Sequence, residues 1–204
     1  MATLPLVAIL RGITPGEVEE VGDVLVESGF RLIEVPLTSP DPFRSIAMLA
    51  RRLGSAVVVG AGTVRRAEQL DALVEAGGRL MVTPHADAAL IRAATARRLS
   101  TLPGVATPTE AFAALDAGAD ALKLFPSDMI SPSAVKAFRT VVGPAVPLCP
   151  TGGITPGDLR RYVDAGADGF GLGGALYRPG ESASDVRTKA EAFVSSWRDL
   201  HAGG

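Results

Sequence analysis

Three lysines occur in this 204-residue chain, at positions 123, 136 and 189, against seventeen arginines. One of the three interrupts an apolar run, Ala121-Leu122-Lys123-Leu124-Phe125. Burial disfavours a charged ammonium and lowers its pKa, leaving a free amine that can attack a carbonyl carbon. The ordinary alternative is a lysine pointing outward from a half-exposed strand. A second ionisable residue in a similar setting weighs against that alternative: Glu34 lies between Ile33 and Val35. Groups of opposite sign in apolar strands are cheaper when both face one polar, wet interior. A purely structural ion pair is the competing account of these two residues.

Other candidates stand where apolar runs end. Arg11 closes the run Leu6–Leu10 just before Gly12, where a guanidinium facing a shared mouth would bind a carboxylate or phosphate. Thr63 follows Gly60-Ala61-Gly62, glycines that would let a substrate approach the backbone. The Thr63 hydroxyl would bind a carboxylate or merely cap the next helix. Gly152-Gly153 and Gly173-Gly174 allow backbone N–H groups to come close to an anion, and a helix N-terminus would add its dipole. Tight turns also need glycine, but two such pairs on the last two loops point to a phosphorylated ligand.

A repeated layout positions these residues. Ser28-Gly29, Ala76-Gly77, Ala117-Gly118 and Ala165-Gly166 each precede a short apolar strand by two or three residues, as a helix-closing glycine would. Thr14-Pro15-Gly16-Glu17, Thr107-Pro108-Thr109-Glu110 and Thr155-Pro156-Gly157-Asp158 carry the opposite signal, with threonine at N-cap, proline at N1 and a carboxylate at N3. Between these markers the pattern predicts strands near 5–10, 31–36, 56–61, 79–83, 99–102, 120–125, 145–149 and 168–172. Helices are predicted at about 15–28, 42–53, 66–76, 87–97, 108–117, 132–141 and 156–165. The unbroken βα rhythm, with continuous apolar strands, predicts a closed (β/α)₈ TIM barrel in the α/β class. An open doubly wound sheet would need a switch point, and no long connection offers one. Val186, Ala190, Phe193, Val194, Trp197 and Leu200 recur at helical spacing, so a docking helix is expected at about 185–200. The chain then reads as one domain over 1–204. In such a barrel the chemistry lies at the C-terminal strand ends, where every candidate above falls, together with Thr83-Pro84-His85 and Pro103-Gly104.

Composition narrows the classes. A net charge of −2 without a basic cluster argues against nucleic acid. No apolar run is long enough to span a membrane, and Met1-Ala2-Thr3-Leu4 leads into the first strand without a signal-peptide pattern. Cys149 is alone, which fits a reducing, cytoplasmic setting. Only His85 and His201 are present, with no cluster at ligand spacing, so no metal is expected. Gly171-Leu172-Gly173-Gly174 lacks the context of a dinucleotide fingerprint, and no nucleotide cofactor is expected.

Taken in order, these residues resemble the class I aldolases that cleave 2-keto-3-deoxy-6-phospho sugar acids. The carriers are Ala8-Ile9-Leu10-Arg11-Gly12, Glu34-Val35-Pro36-Leu37-Thr38-Ser39-Pro40, Val59-Gly60-Ala61-Gly62-Thr63-Val64, Val82-Thr83-Pro84, Leu102-Pro103-Gly104, Leu122-Lys123-Leu124-Phe125-Pro126 and Thr151-Gly152-Gly153-Ile154. The resemblance implies a Schiff-base lysine at Lys123, a general acid/base at Glu34 and a homotrimer of barrels. Thr63 with Arg11 would hold the substrate carboxylate, and Gly152, Gly153, Gly173 and Gly174 the phosphate, with Arg11 an alternative phosphate ligand. Pro84 and Thr151, within matching segments, complete the expected substrate-binding set. Glu34 to Ser39 and Leu176-Tyr177-Arg178-Pro179-Gly180 look like the 6-phosphogalactonate branch, whereas Cys149-Pro150-Thr151-Gly152-Gly153 looks like the 6-phosphogluconate branch. The gluconate branch typically has arginine where this chain has Thr38, and serine where it has Ala175. The resemblance therefore implies cleavage of 2-dehydro-3-deoxy-6-phosphogalactonate to pyruvate and glyceraldehyde 3-phosphate. The gluconate epimer and 4-hydroxy-2-oxoglutarate are alternative substrates. A phosphate-binding barrel isomerase with a permanently charged Lys123, or a barrel that only binds a phosphorylated metabolite, are the rival readings.

Overall fold

The first apolar run, Leu6–Ile9, is buried along its whole length, as a strand covered on both faces must be. A computed structural model describes residues 4–201; Met1 to Thr3, expected to lead into that strand, lie outside the described residues. The elements follow as β1 (Leu6–Ile9), α1 (Val18–Ser28), β2 (Leu32–Pro36), α2 (Pro42–Leu53), β3 (Val58–Gly62), α3 (Glu68–Glu75), β4 (Leu80–Val82) and α4 (Ala88–Ala96). They continue as β5 (Ser100–Leu102), β6 (Gly104–Val105), α5 (Pro108–Asp116), β7 (Leu122–Leu124), α6 (Pro132–Val142), β8 (Leu148–Pro150), α7 (Leu159–Asp164), β9 (Phe170–Leu172) and α8 (Ala183–His201).

All pairings are parallel, in two sheets ordered β5-β4-β3-β2-β1-β9 and β6-β7-β8. A parallel bridge between Thr151 and Gly171 joins the second sheet to β9. At the other seam β5 falls within the strand expected at 99–102, and beyond Pro103 lies a short strand, β6, that the sequence pattern does not predict. Proline has no N–H to give to a ladder, yet its carbonyl accepts from the Lys123 N–H at 2.9 Å, and Thr101 accepts from Ala121 at 3.3 Å. The ring is thus closed, and the chain is a (β/α)₈ barrel.

Local signals explain the helix limits. Gly29, Gly77, Gly118 and Gly166 all adopt the left-handed conformation expected of helix-closing glycine. Thr107 and Glu110 form the reciprocal capping box that starts α5. The other two threonine boxes differ from expectation. Glu17 accepts from the Thr14 N–H and hydroxyl, but within a turn, and α1 begins only at Val18. The Thr155–Asp158 box encloses a 3₁₀ turn, Pro156–Asp158, ahead of the six-residue α7. Helix α8 begins two residues before the expected 185, where Ser182 accepts from the Asp185 N–H at 3.2 Å. Its Val186, Ala190, Phe193 and Val194 are buried, and Trp197 meets Phe170 edge-on at 6.2 Å.

Between strands and helices lies a large apolar layer that includes Ile33, Val35, Leu122 and Leu124. A smaller cluster fills the barrel itself: Val7, Leu80, Val82, Leu102 and Cys149, with Leu32, Val58 and Ala121 against it. Each fully buried Leu or Val side chain contributes about 1.5–3 kcal/mol to folding. Strand side chains alternate faces. Glu34, Lys123 and Thr151 lie two positions beyond Leu32, Ala121 and Cys149, so they form the next layer up, at the C-terminal mouth.

Candidate active site

Glu34 and Lys123 occupy that upper layer, 1% and 6% exposed. Main-chain register fixes both: Glu34 stands opposite Ile9 on one side and Gly60 on the other, and Lys123 opposite Gly104 and Cys149. Burial pushes the Glu34 carboxyl up to about 7, against the opposing pull of the Lys123 and Arg11 charges. Burial also lowers the Lys123 ammonium, with Glu34 opposing and Arg11 reinforcing the shift. Desolvation outweighs mutual attraction, and both groups move towards their neutral forms. They do not close into a direct ion pair, and the buried Glu34 Oε2 has no hydrogen-bond partner among the described residues. The Phe125 ring lies 4.8 Å from Lys123 Nζ, centroid to atom, and favours whatever positive charge develops there.

Arg11 is exposed at the rim, its Nη1 donating to Thr38 Oγ1 at 3.2 Å. The backbone beneath it is tied down on two sides. The Gly12 N–H donates to the buried Ser39 Oγ at 2.9 Å, and Pro179 packs so closely that a Cβ on Gly12 would lie 2.6 Å from its Cγ. Thr63 is half-buried just beyond β3 with φ of 56°, a left-handed value that a threonine adopts only at a cost. It does not cap α3: the N–H groups of Arg65 and Arg66 there donate to Gln69 Oε1. Pro84 is half-buried beside Gly104, where a Cβ would come within 2.7 Å of the Pro84 carbonyl oxygen.

Thr151 is buried, its hydroxyl donating to the Cys149 carbonyl at 3.1 Å and its N–H to the Leu124 carbonyl at 2.9 Å. Gly152 and Gly153 follow with φ of 108° and 64°, and the Ser127 hydroxyl donates to the Gly152 carbonyl. A crevice of about 270 Å³ opens beside this pair, lined by Ser127, Asp128, Ser131 and Arg161 among others. Gly173 and Gly174 begin the loop after β9, where an added Cβ would meet nothing within 4 Å. The structure corrects the expected contribution of helix dipoles. Gly152-Gly153 leads into a 3₁₀ turn, and Gly173-Gly174 lies well ahead of α8. What these loops offer an anion is backbone N–H groups, with little aligned dipole behind them.

A second correction concerns Gly60-Ala61-Gly62. A Cβ on Gly60 would collide with the Leu80 carbonyl oxygen, so this glycine permits strand packing and not substrate approach. A Cβ on Gly62 would overlap Glu34 Oε2. Sequence reasoning also missed Phe125 and Ser39 as parts of the site. Phe125 is legible from its two-residue spacing to Lys123, whereas nothing in sequence separation connects Ser39 to Gly12. The larger concavity of about 570 Å³, lined by Ala47, Gly54, Val57 and Arg79, contains none of these residues and lies where β3 and β4 begin. Among the described residues, no group of three or more His, Cys, Asp or Glu side chains is arranged to hold a metal, and no helix is long and apolar enough to cross a membrane.

The family described as KDPG and KHG aldolase matches residues 1–187. The chain belongs to that family. This makes it an aldolase, a carbon–carbon lyase. A protein of Rhizobium meliloti (strain 1021) named "Probable 2-dehydro-3-deoxy-6-phosphogalactonate aldolase" is 44% identical over 199 residues, covering 98% of this chain and 94% of that one. The 2-dehydro-3-deoxy-6-phosphogalactonate aldolase of Escherichia coli (strain K12) is 43% identical over 196 residues, or 96% of each chain. The solved structure described as native KDPGal superposes with a TM-score of 0.97 at 42% identity, covering 99% of this chain and 98% of that one. The aldolase family and the barrel expected from the sequence are thus both found.

Proposed function

We propose that this family member is a Schiff-base aldolase that cleaves 2-dehydro-3-deoxy-6-phosphogalactonate to pyruvate and glyceraldehyde 3-phosphate. The observation that carries the reading is the buried, unbonded pair: an amine and a carboxyl in one layer of the mouth, both shifted towards neutrality without bonding each other. The Lys123 amine attacks the C2 ketone, the carbinol oxygen leaves as water, and an iminium forms. The iminium accepts the electron pair of the C3–C4 bond while Glu34 takes the C4 hydroxyl proton, and the aldehyde departs. A proton returned to C3 and a water added to the imine release pyruvate and restore the amine. A carboxyl pushed up to about 7 can both give and take protons at neutral pH. An isomerase with a permanently charged Lys123 fits less well, because burial drives that ammonium towards the amine.

Arg11 supplies the cation that Thr38 does not. Its guanidinium reaches Thr38 and its charge is felt by both Glu34 and Lys123, which supports the carboxylate end for Arg11 and the strained Thr63. Gly152, Gly153, Gly173 and Gly174 then serve the phosphate, and Pro84 and Thr151 line the space between. The resemblance is the ground for reading the assembly as a homotrimer, and the lone Cys149 for the cytoplasm. One domain over 1–204 and a reaction that needs no metal or cofactor complete the reading. One segment favours a second substrate: Cys149 to Gly153 is of the gluconate type, so slower cleavage of the gluconate epimer is expected. The test is a paired assay on the two epimers, with pyruvate and glyceraldehyde 3-phosphate quantified. Equimolar products, released faster from the galactonate compound, are expected. Failure to cleave either epimer would remove this reading.

A further inference from the structure

Position 62 closes β3, buried and paired with Pro36 of the neighbouring strand. A glycine inside a strand sacrifices side-chain packing and marks a place where something else comes close. Here the intruder can be named. A Cβ at this position would overlap Oε2 and Cδ of Glu34 and stand 2.6 Å from its Oε1. The carboxylate therefore occupies the volume that any side chain at 62 would fill. Gly62 has no left-handed φ, so its backbone suits other residues and its own conformation does not require glycine. The space alone requires it.

We infer that Gly62 is a positioning residue, the seat that holds the Glu34 carboxylate in the same mouth layer as Lys123. This deepens the proposed aldolase reading and rests on it for its catalytic consequence, though not for its structural one. Gly60, two residues before the seat, is no rival for this role, because the volume beside it is filled by Leu80. With the seat intact, the carboxylate lies against Gly62 on one side and is kept from water on the others, the circumstance that leaves Oε2 unpartnered and the acid weak. A methyl group at 62 would force the carboxylate onto another rotamer, away from the substrate's C4 hydroxyl. Proton transfer would suffer, while imine formation on Lys123 would still proceed.

The test is a double-mutant cycle of Gly62→Ala with Glu34→Ala, read by thermal unfolding and by turnover. Gly62→Ala in the presence of Glu34 should lower the melting temperature and reduce kcat by about 10²- to 10⁴-fold, the usual worth of a positioned acid/base. Pyruvate with borohydride should still label Lys123 in that variant. In the Glu34→Ala background, where the carboxylate is gone, the same methyl should cost little in melting temperature and change kcat less than about threefold, because pairs that act through one another are non-additive. Should Gly62→Ala alone fail to fold, a folded Gly62→Ala/Glu34→Ala double variant supports the seat. An unfolded double variant, or an equal penalty with and without the carboxylate, overturns it. The melting temperatures decide this even if the wild type proves not to be an imine enzyme, which the absence of any pyruvate label on wild-type Lys123 would reveal separately.

Discussion

Of the places in this barrel where opposite charges meet, two are built on opposite plans. At the base of the barrel, Arg139 reaches from α6 to Asp168, just ahead of β9. Its remaining donors are taken by the carbonyls of Gly143, Val146 and Gly166 at 2.7–3.2 Å, and the Leu148 N–H donates to the Asp168 carboxylate at 2.8 Å. Every guanidinium N–H is matched, and the Asp168 side chain keeps 46% exposure. At the mouth, Glu34 and Lys123 are buried more deeply, yet they form no direct pair and one carboxylate oxygen is left unpartnered. A satisfied, partly exposed pair holds the fold together. A deeper and unsatisfied one costs stability, which is the cost expected of the chemistry proposed for it.

Substitutions should separate the two plans. Lys123→Met removes the proposed nucleophile and should lower turnover by about 10⁴-fold or more, leaving the fold intact; steady-state cleavage with circular dichroism checks this. Arg139→Ala should do the reverse. It leaves half-buried carbonyls unmatched, costing about 1–3 kcal/mol in urea unfolding, with activity per folded molecule nearly unchanged. Similar activity losses in the two variants would erase the distinction between the regions.

Glu34→Gln should reduce turnover by about 10²- to 10⁴-fold, and it also carries a stability signature. The folded carboxyl titrates at about 7 and the unfolded one at 4.5. Between those values the native state binds more protons than the unfolded state, so wild-type stability falls as pH rises through that window. Gln does not titrate. Relative to wild type, the variant should therefore gain stability between pH 4.5 and 7, by up to about 3 kcal/mol. Unfolding curves at about pH 4.5 and about pH 8, on either side of the window, check it. A constant difference would mean an ordinary surface-like carboxylate.

The loops proposed to hold the phosphate sharpen the comparison further from the buried pair. Gly152 is unsuitable for a side-chain test, because its left-handed φ strains any replacement. At Gly173 the backbone is not left-handed and an added Cβ meets nothing within 4 Å. Gly173→Val should raise KM for the phosphorylated substrate by about tenfold or more, the scale of one lost charge-assisted hydrogen bond. Borohydride trapping with pyruvate, which lacks the phosphate, should be unchanged. The smallest effect is expected at the rim, where Thr38→Val removes one exposed hydrogen bond to Arg11 and should shift KM by a few-fold.

How much of this is legible in the sequence follows from the range of each signal. Lys123 and Glu34 stand out because charge inside an apolar run is a local anomaly, and the βα rhythm is local as well. Helix-closing glycines at 29, 77, 118 and 166 adopt the conformation their spacing implies. The start of α1 differs from expectation because a Thr-Pro-x-Glu box can serve an isolated turn as well as a helix. The roles of Gly60 and Gly62 escape sequence reasoning, since a glycine's neighbour across a sheet depends on register and not on flanking residues. The Ser39–Gly12 tie spans 27 positions and is not inferable without the folded ring. For Thr63, capping and binding are equally open in the sequence, and its left-handed backbone, with Gln69 holding the turn, removes the capping role.

Lys123, and neither of the other lysines, is proposed to attack the substrate carbonyl at the mouth. Borohydride reduction in the presence of pyruvate, followed by peptide mass analysis, tests it directly. One reduced pyruvate adduct per chain is predicted, on the peptide bearing Lys123, and none after Lys123→Met. Label on Lys136 or Lys189, or no label at all, would contradict it.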